Sequence, residues 1–189
     1  MLDTNILIDF FLIDLKEEGI TTERLKKSAQ IREKHLKGKF INVYSIYNIW
    51  EFKNQLTKLF LQRKFIKQGY SLDEFSEAKK EIFLSKEELL EIDKITTEMF
   101  EGSLFIELEI RLETVDDMIN EGVSFFDTIL LYHVNFFEQC KYFVTRDNIL
   151  INKIKNLPFK VTKSKLIKRK EFLSLLNKTP RQKPLINPT

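Results

Sequence analysis

The chain opens on a short apolar stub, Met1-Leu2, which the polar run Asp3-Thr4-Asn5 interrupts. Ile6 to Leu15 then continue at helix-compatible spacing. Thr21 to Leu36 reads as a charged helix with Thr22 as its cap and Gly38 as its stop. Phe40 to Tyr44, a β-branched and aromatic run, predicts a strand. Ser45 caps a helix from about Ile46 to Arg63 along the stripe Ile49, Phe52, Leu56, Leu59 and Phe60. Two capping boxes, Ser71-x-x-Glu74 and Ser85-x-x-Glu88, open helices over 72–83 and 86–100, because each supplies a hydroxyl and a carboxylate to first-turn backbone donors. Gly102-Ser103 restarts the chain into a helix to about Asn120, which Glu121-Gly122 stops. Ser124 caps a helix from Phe125 to about Gln139. Tyr142 to Thr145 predicts a strand, Ile149 to Lys155 a short helix, Pro158 to Thr162 a last strand, and Leu166 to Leu176 a last helix. The tail 177–189, basic and carrying Pro180, Pro184 and Pro188, is expected to be disordered.

Strands separated by helices define an α/β class with a central parallel sheet covered on both faces. In such sheets a ligand site lies beyond the carboxyl ends of the strands. The polar residues expected there are acids. Asp3 follows the stub, Glu51 lies in the helix after Phe40–Tyr44, Asp127 lies in the first turn after Ser124, and Asp147 follows Tyr142–Thr145.

Composition narrows the chemistry. One Cys (Cys140) and two His (His35, His133) exclude a disulfide framework, a zinc finger and an iron–sulfur site. Any metal must be held mainly by oxygens, as Mg²⁺ or Mn²⁺ would be. Five scattered glycines exclude a P-loop and a G-x-G-x-x-G site. Asp3, Asp9 and Asp14 interrupt the apolar N-terminus, so no signal peptide is expected. Thr128 to Phe137, the longest uncharged stretch beside an apolar run, falls short of the ~20 residues of a membrane span. A cytoplasmic protein with no membrane partner is the expectation. The formal net charge is +3, yet Asn152 to Thr189 holds eleven Lys+Arg against one acid, Glu171. That end carries +10 and the remainder −7, which suits either a nucleic-acid partner or a solvated basic face.

Four acids facing one cleft raise one another's pKa and repel, and a divalent cation reverses that cost. The chemistry such a site supports is phosphoryl transfer. Each acid also has a plain structural reading: Asp3 as a helix cap, Asp127 as a capping-box residue, Asp147 as an Asx-turn residue, Glu51 as a solvated side chain.

The four pieces together resemble the PIN-domain nucleases. Asp3-Thr4-Asn5-Ile6-Leu7-Ile8-Asp9 resembles their opening D-T-N-x-L-x-D motif. Ser45-x5-Glu51 is similar to the second motif, Ser124-Phe125-Phe126-Asp127-Thr128-Ile129 to the third, and Thr145-Arg146-Asp147 to the fourth. The resemblance implies a three-layer α/β/α, Rossmann-like fold over 1–176, with a helical insertion at roughly 64–120. It implies a Mg²⁺- or Mn²⁺-dependent endoribonuclease in which Asp3, Glu51, Asp127 and Asp147 bind metal while Asn5 and Thr145 orient them. Water would attack phosphorus in line and leave a 5′-phosphate and a 3′-hydroxyl. The small members most like this chain are VapC-type toxins, which implies a homodimer silenced by an antitoxin protein. RNA would be guided by Arg146, Lys165, Lys168 and Arg169, with Lys163 and Lys170 in the same cluster, and Phe125, Phe126 and Tyr132 are candidates for base stacking. The first strand is shorter than the family's usual one.

Other families fit less well. A haloacid-dehalogenase-type phosphatase needs D-x-D where this chain has Asn5. A receiver domain needs an acid pair and a late lysine that Lys163 matches poorly. A PIN-like RNA-processing nuclease, or a catalytically weak PIN-like RNA- or protein-binding module, stays open beside the toxin.

Overall fold

The computed structural model describes residues 1–15, 23–71, 73, 75, 82–107, 109–110, 112–120, 122–156 and 165–178. The chain forms two compact units. The first comprises Met1–Asn48 and Gly102–Thr189, and the second is Ile49–Glu101.

The first unit begins with α1 (Thr4–Asp14), in which Ile6, Leu7, Ile8, Phe10 and Phe11 are all buried. A helix apolar all round is driven inside rather than onto a surface. α2 (Glu23–Leu36) packs against it, with Leu25, Ser28 and Ile31 buried. Gly38, at φ +65°, lets the chain turn back after α2. β1 (Val43–Tyr44) pairs in parallel with β2 (Leu104–Phe105), Val43 opposite Leu104. α5 (Leu112–Asn120) and α6 (Phe125–Phe136) follow, then β3 (Phe143–Thr145), α7 (Asn148–Asn156), β4 (Leu166–Lys168) and α8 (Arg169–Lys178). β3 and β4 are parallel, with Val144 opposite Ile167. Leu2 forms a parallel bridge to Val144, and its N–H reaches Asn42 Oδ1 at 3.0 Å, so the stub runs between the two strand pairs. All three residues of β3 are buried, as in a parallel strand covered on both faces. Val43, Val115, Met118, Leu130, Leu131 and Phe143 belong to the core of this unit.

The second unit holds most of α3 (Ile46–Lys67) and all of α4 (Lys86–Phe100). Phe52, Leu56, Phe65 and Ile92 are fully buried, and Phe52 meets Phe100 edge to face at 5.8 Å. Ser85 and Glu88 form the capping box that opens α4: Glu88 N–H donates to Ser85 Oγ, and Ser85 N–H to Glu88 Oε2.

The class is mixed helix and strand with short parallel strands, as the alternation implied. Two elements differ from expectation. Leu104–Phe105 was expected inside a helix from Gly102 to Asn120, yet it is a strand, and α5 starts only at Leu112. Leu166–Lys168 was expected to open the last helix and instead pairs with β3. Both are short apolar runs whose conformation is set by a distant strand rather than by local preference. The expected strand Pro158–Thr162, the capping box at Ser71-x-x-Glu74, most of the helix expected over 72–83, and the tail from 179 lie outside the described residues. The insertion expected over 64–120 overlaps the second unit through Glu101. Among the described residues no helix is long and apolar enough to cross a membrane.

Candidate functional site

Asp3 sits at the N-cap of α1 with extended backbone, and its Oδ1 accepts from Asn5 N–H at 3.1 Å. Its Oδ2 accepts from Asn5 Nδ2 at 3.0 Å and from the Thr145 hydroxyl. Its own N–H donates to the Val144 carbonyl at 2.9 Å. Asp3 is therefore fixed to the end of β3 by backbone and side chain alike. Thr145 Oγ1 also accepts from Asp147 N–H at 2.9 Å. Asp147 Oδ1 accepts from Ile149 N–H at 2.7 Å and Leu150 N–H at 3.0 Å, capping α7. Ser124 caps α6 by accepting from Asp127 N–H at 3.2 Å, and its hydroxyl donates to Asp127 Oδ2 at 2.6 Å.

The three acids share one electrostatic environment. Burial pushes the Asp3 carboxyl above the usual carboxylate range, hydrogen bonds from Thr145 and Asn5 pull it back, and the Asp147 charge adds to the rise. Burial pushes Asp127 up to about 6; the charges of Asp3 and Asp147 push the same way, while the Ser124 hydroxyl and the Lys153 ammonium oppose them. Burial and the neighbouring carboxylates both disfavour a second or third negative charge, and a cation among the acids reverses that.

The plain capping readings hold for Asp3 and Asp147, whose carboxylates accept first-turn backbone N–H groups, whereas at α6 the cap is Ser124 and the Asp127 carboxylate accepts from its hydroxyl rather than completing a capping box. These hydrogen bonds engage one carboxylate oxygen of Asp127 and one of Asp147. The other oxygen of each has no hydrogen-bond partner among the described residues. An all-oxygen donor set of this kind suits a hard divalent cation. Among the described residues, no group of three or more His, Cys, Asp or Glu side chains forms a ready-made metal cage.

Glu51, the fourth expected acid, belongs to the second unit, half-buried near the start of α3. Three of the four basic residues expected to meet RNA have partners inside the protein. Lys165 Nζ donates to the Val134 carbonyl at 2.7 Å. Arg169 donates to Asp9 at 3.1 Å and to Ser28 at 2.8 Å, and Arg146 pairs with Asp9 at 3.6 Å. Lys168 is exposed, and Lys163 lies outside the described residues. Phe125 is exposed in the first turn of α6, two residues before Asp127, whereas Tyr132 is buried and donates to the Glu109 carbonyl. His133 is buried, with Nδ1 at 2.7 Å from the Ile129 carbonyl, and burial holds its pKa below the usual range.

Asp9 closes the opening motif in the sequence, but no role was expected of it there. The available signal was an acid deep inside a helix with no other polar face.

A pocket of about 400 Å³ lies elsewhere in the first unit, lined by Val43, Phe40, Cys140, Tyr142 and Phe172 among others. None of the three acids lines it, and its mostly apolar wall does not suit a phosphate. Compared with protein-family models, with curated proteins and with solved structures, the chain matches none of them at a significant level.

Proposed function

We propose that this chain is a Mg²⁺- or Mn²⁺-dependent endoribonuclease with a three-layer PIN-like fold. The observation that carries the reading is that the Thr145 hydroxyl joins Asp3 to Asp147, with Asp127, pushed up to about 6 chiefly by burial, feeling the charges of both. The four sequence motifs support it independently. A bound divalent metal would neutralise the phosphodiester and supply hydroxide from water at neutral pH. Asp3 is held by Asn5 and Thr145 so that its carboxylate does not swing. Asp127 and Asp147 each keep one oxygen clear of the hydrogen bonds made at their helix starts. Thr145 couples Asp3 to Asp147 through a single hydroxyl. The role as toxin of a type II pair, with an antitoxin and a homodimer, is carried by the resemblance of those motifs to VapC-type chains.

A second reading is a PIN-like module that binds RNA or protein without cutting. The lack of a ready-made cage among the described residues favours it. Cleavage of a mixed RNA panel with Mn²⁺, Mg²⁺ or EDTA, wild type beside Asp127→Asn, decides between them. Metal-dependent cuts that vanish in the variant support the nuclease. Folded wild type that binds RNA and cuts none of it supports the module.

A further inference from the structure

The turn that carries Thr145 and Asp147 also carries Arg146, and Arg146 reaches a buried carboxylate outside the acid cluster. Asp9 is fully buried in α1. Its Oδ2 accepts from the Ser28 hydroxyl of α2 at 2.8 Å and from Arg169 Nη1 at the start of α8 at 3.1 Å. Its Oδ1 faces Arg146 Nη1 at 3.6 Å. Ser28 Oγ in turn accepts from Arg169 at 2.8 Å. Three segments thus close on one carboxylate of a fourth. The side chains of Arg146 and Arg169 are only 21% and 13% exposed.

We propose that Asp9 and Arg146 are positioning residues for the acid cluster. This rests on the metal-dependent nuclease reading. α1 carries Asp3 at its cap and Asp9 in its middle, and the β3–α7 turn carries Thr145, Arg146 and Asp147. Two ties therefore join the same two elements, Thr145 to Asp3 and Arg146 to Asp9. One tie fixes a distance and leaves rotation open. Two ties fix both, and so set the directions in which Asp3 and Asp147 present their oxygens. Thr145 reaches Asp3 while the next residue, Arg146, reaches Asp9, so neighbouring side chains of one turn grip α1 at two points. Stability alone does not ask for this arrangement, because apolar residues packed at the same place are often as stable as a buried ion pair. The same geometry assigns Arg146 to Asp9 rather than to RNA.

The test uses the full chain and reads two quantities: Mn²⁺ binding by calorimetry, and RNA cleavage as kcat and KM across a salt series. Wild type is compared with Asp9→Asn, Arg146→Gln and the double variant, each checked for fold by circular dichroism at the assay temperature. The expected result is Mn²⁺ affinity and kcat reduced roughly 10- to 100-fold in each single variant. KM and its salt dependence stay unchanged, and the double variant is no worse than the weaker single one. If Asp9→Asn does not fold, Arg146→Gln carries the test, because it leaves Asp9 with Arg169 and Ser28. Folded variants that bind Mn²⁺ and cleave as wild type does overturn the proposal. So does an effect of Arg146→Gln confined to KM with a shallower salt dependence, which makes Arg146 an RNA contact. Wild type that neither binds Mn²⁺ nor cleaves removes the nuclease reading itself, and the positioning role with it.

Discussion

Thr145 donates its hydroxyl proton to Asp3 across 142 positions of sequence and accepts at the same oxygen from Asp147 N–H. One side chain at the end of β3 thus joins two acids of the candidate site. Thr145→Val keeps the shape and removes both bonds. Asp3 then stays buried with a donor missing, at a cost of about 1–3 kcal/mol. Urea denaturation should show that loss, and RNA cleavage should fall at least in proportion, while Thr145→Ser retains most of both. Equal stability and activity in Thr145→Val would show that the hydroxyl positions nothing.

Asp127 gives a pH dependence with a definite sign. Its folded-state pKa, about 6, lies above the ordinary value of 3.8. The native state therefore holds the proton more tightly than the unfolded chain. Stability from this group is fully present below pH 3.8 and is lost as pH rises through 6. Asp127→Asn removes the cost of ionisation and should raise stability at pH 7.5 by about 1–3 kcal/mol, with the difference closing towards pH 4. Thermal melts of metal-free protein across that range check it. Mn²⁺ should raise the melting temperature of wild type at pH 7.5 more than that of the variant.

The caps at Ser85 and Ser124 separate stability from chemistry. Ser85→Ala breaks the box that opens α4 and should cost about 1 kcal/mol while leaving RNA cleavage unchanged. Ser124→Ala removes a similar cap and also the hydroxyl that lowers the Asp127 pKa. Its pH–rate profile should have an acidic limb displaced to higher pH, measured as cleavage rate in a constant-ionic-strength buffer series.

Lys168 and Arg169 are adjacent in sequence and should behave differently. Lys168 is exposed, so Lys168→Ala should weaken RNA binding and flatten its salt dependence by roughly 0.7 in slope for a single-stranded substrate. Arg169 neutralises Asp9, so Arg169→Ala should cost about 3 kcal/mol of stability by leaving a buried charge undercompensated. Filter binding at several salt concentrations and urea denaturation distinguish the two.

The helices were legible where the signals are local. Ser85 with Glu88, Ser124 with Asp127, and Gly38 at positive φ act within a few residues, and the sequence pattern placed those boundaries closely. The short strands were less so. Leu104–Phe105 and Leu166–Lys168 take their conformation from Val43–Tyr44 and Phe143–Thr145, partners far away in sequence. The site divides along the same line. Asp3, Asp127 and Asp147 were visible because each follows a strand or opens a helix. The role of Asp9 was not, because what defines it is the pair of guanidiniums that reach it, from 137 positions along the chain in Arg146 and from 160 in Arg169. The same two arginines looked like RNA contacts for want of any local mark of their partner.

The division into two units bears on how the chain reaches this state. Pairing Val43 with Leu104 closes a loop over the whole of Ile49–Glu101. Closing a flexible loop of that length costs roughly 4 kcal/mol of chain entropy before the strands contribute anything. The helices of the second unit draw on local capping and on contacts such as Phe52 with Phe100, so they can form first and shorten the span that β1 and β2 must bridge. Parallel pairing in the first unit then becomes the late, slow event. A kinetic trace that resolves two phases should assign the fast one to α3 and α4.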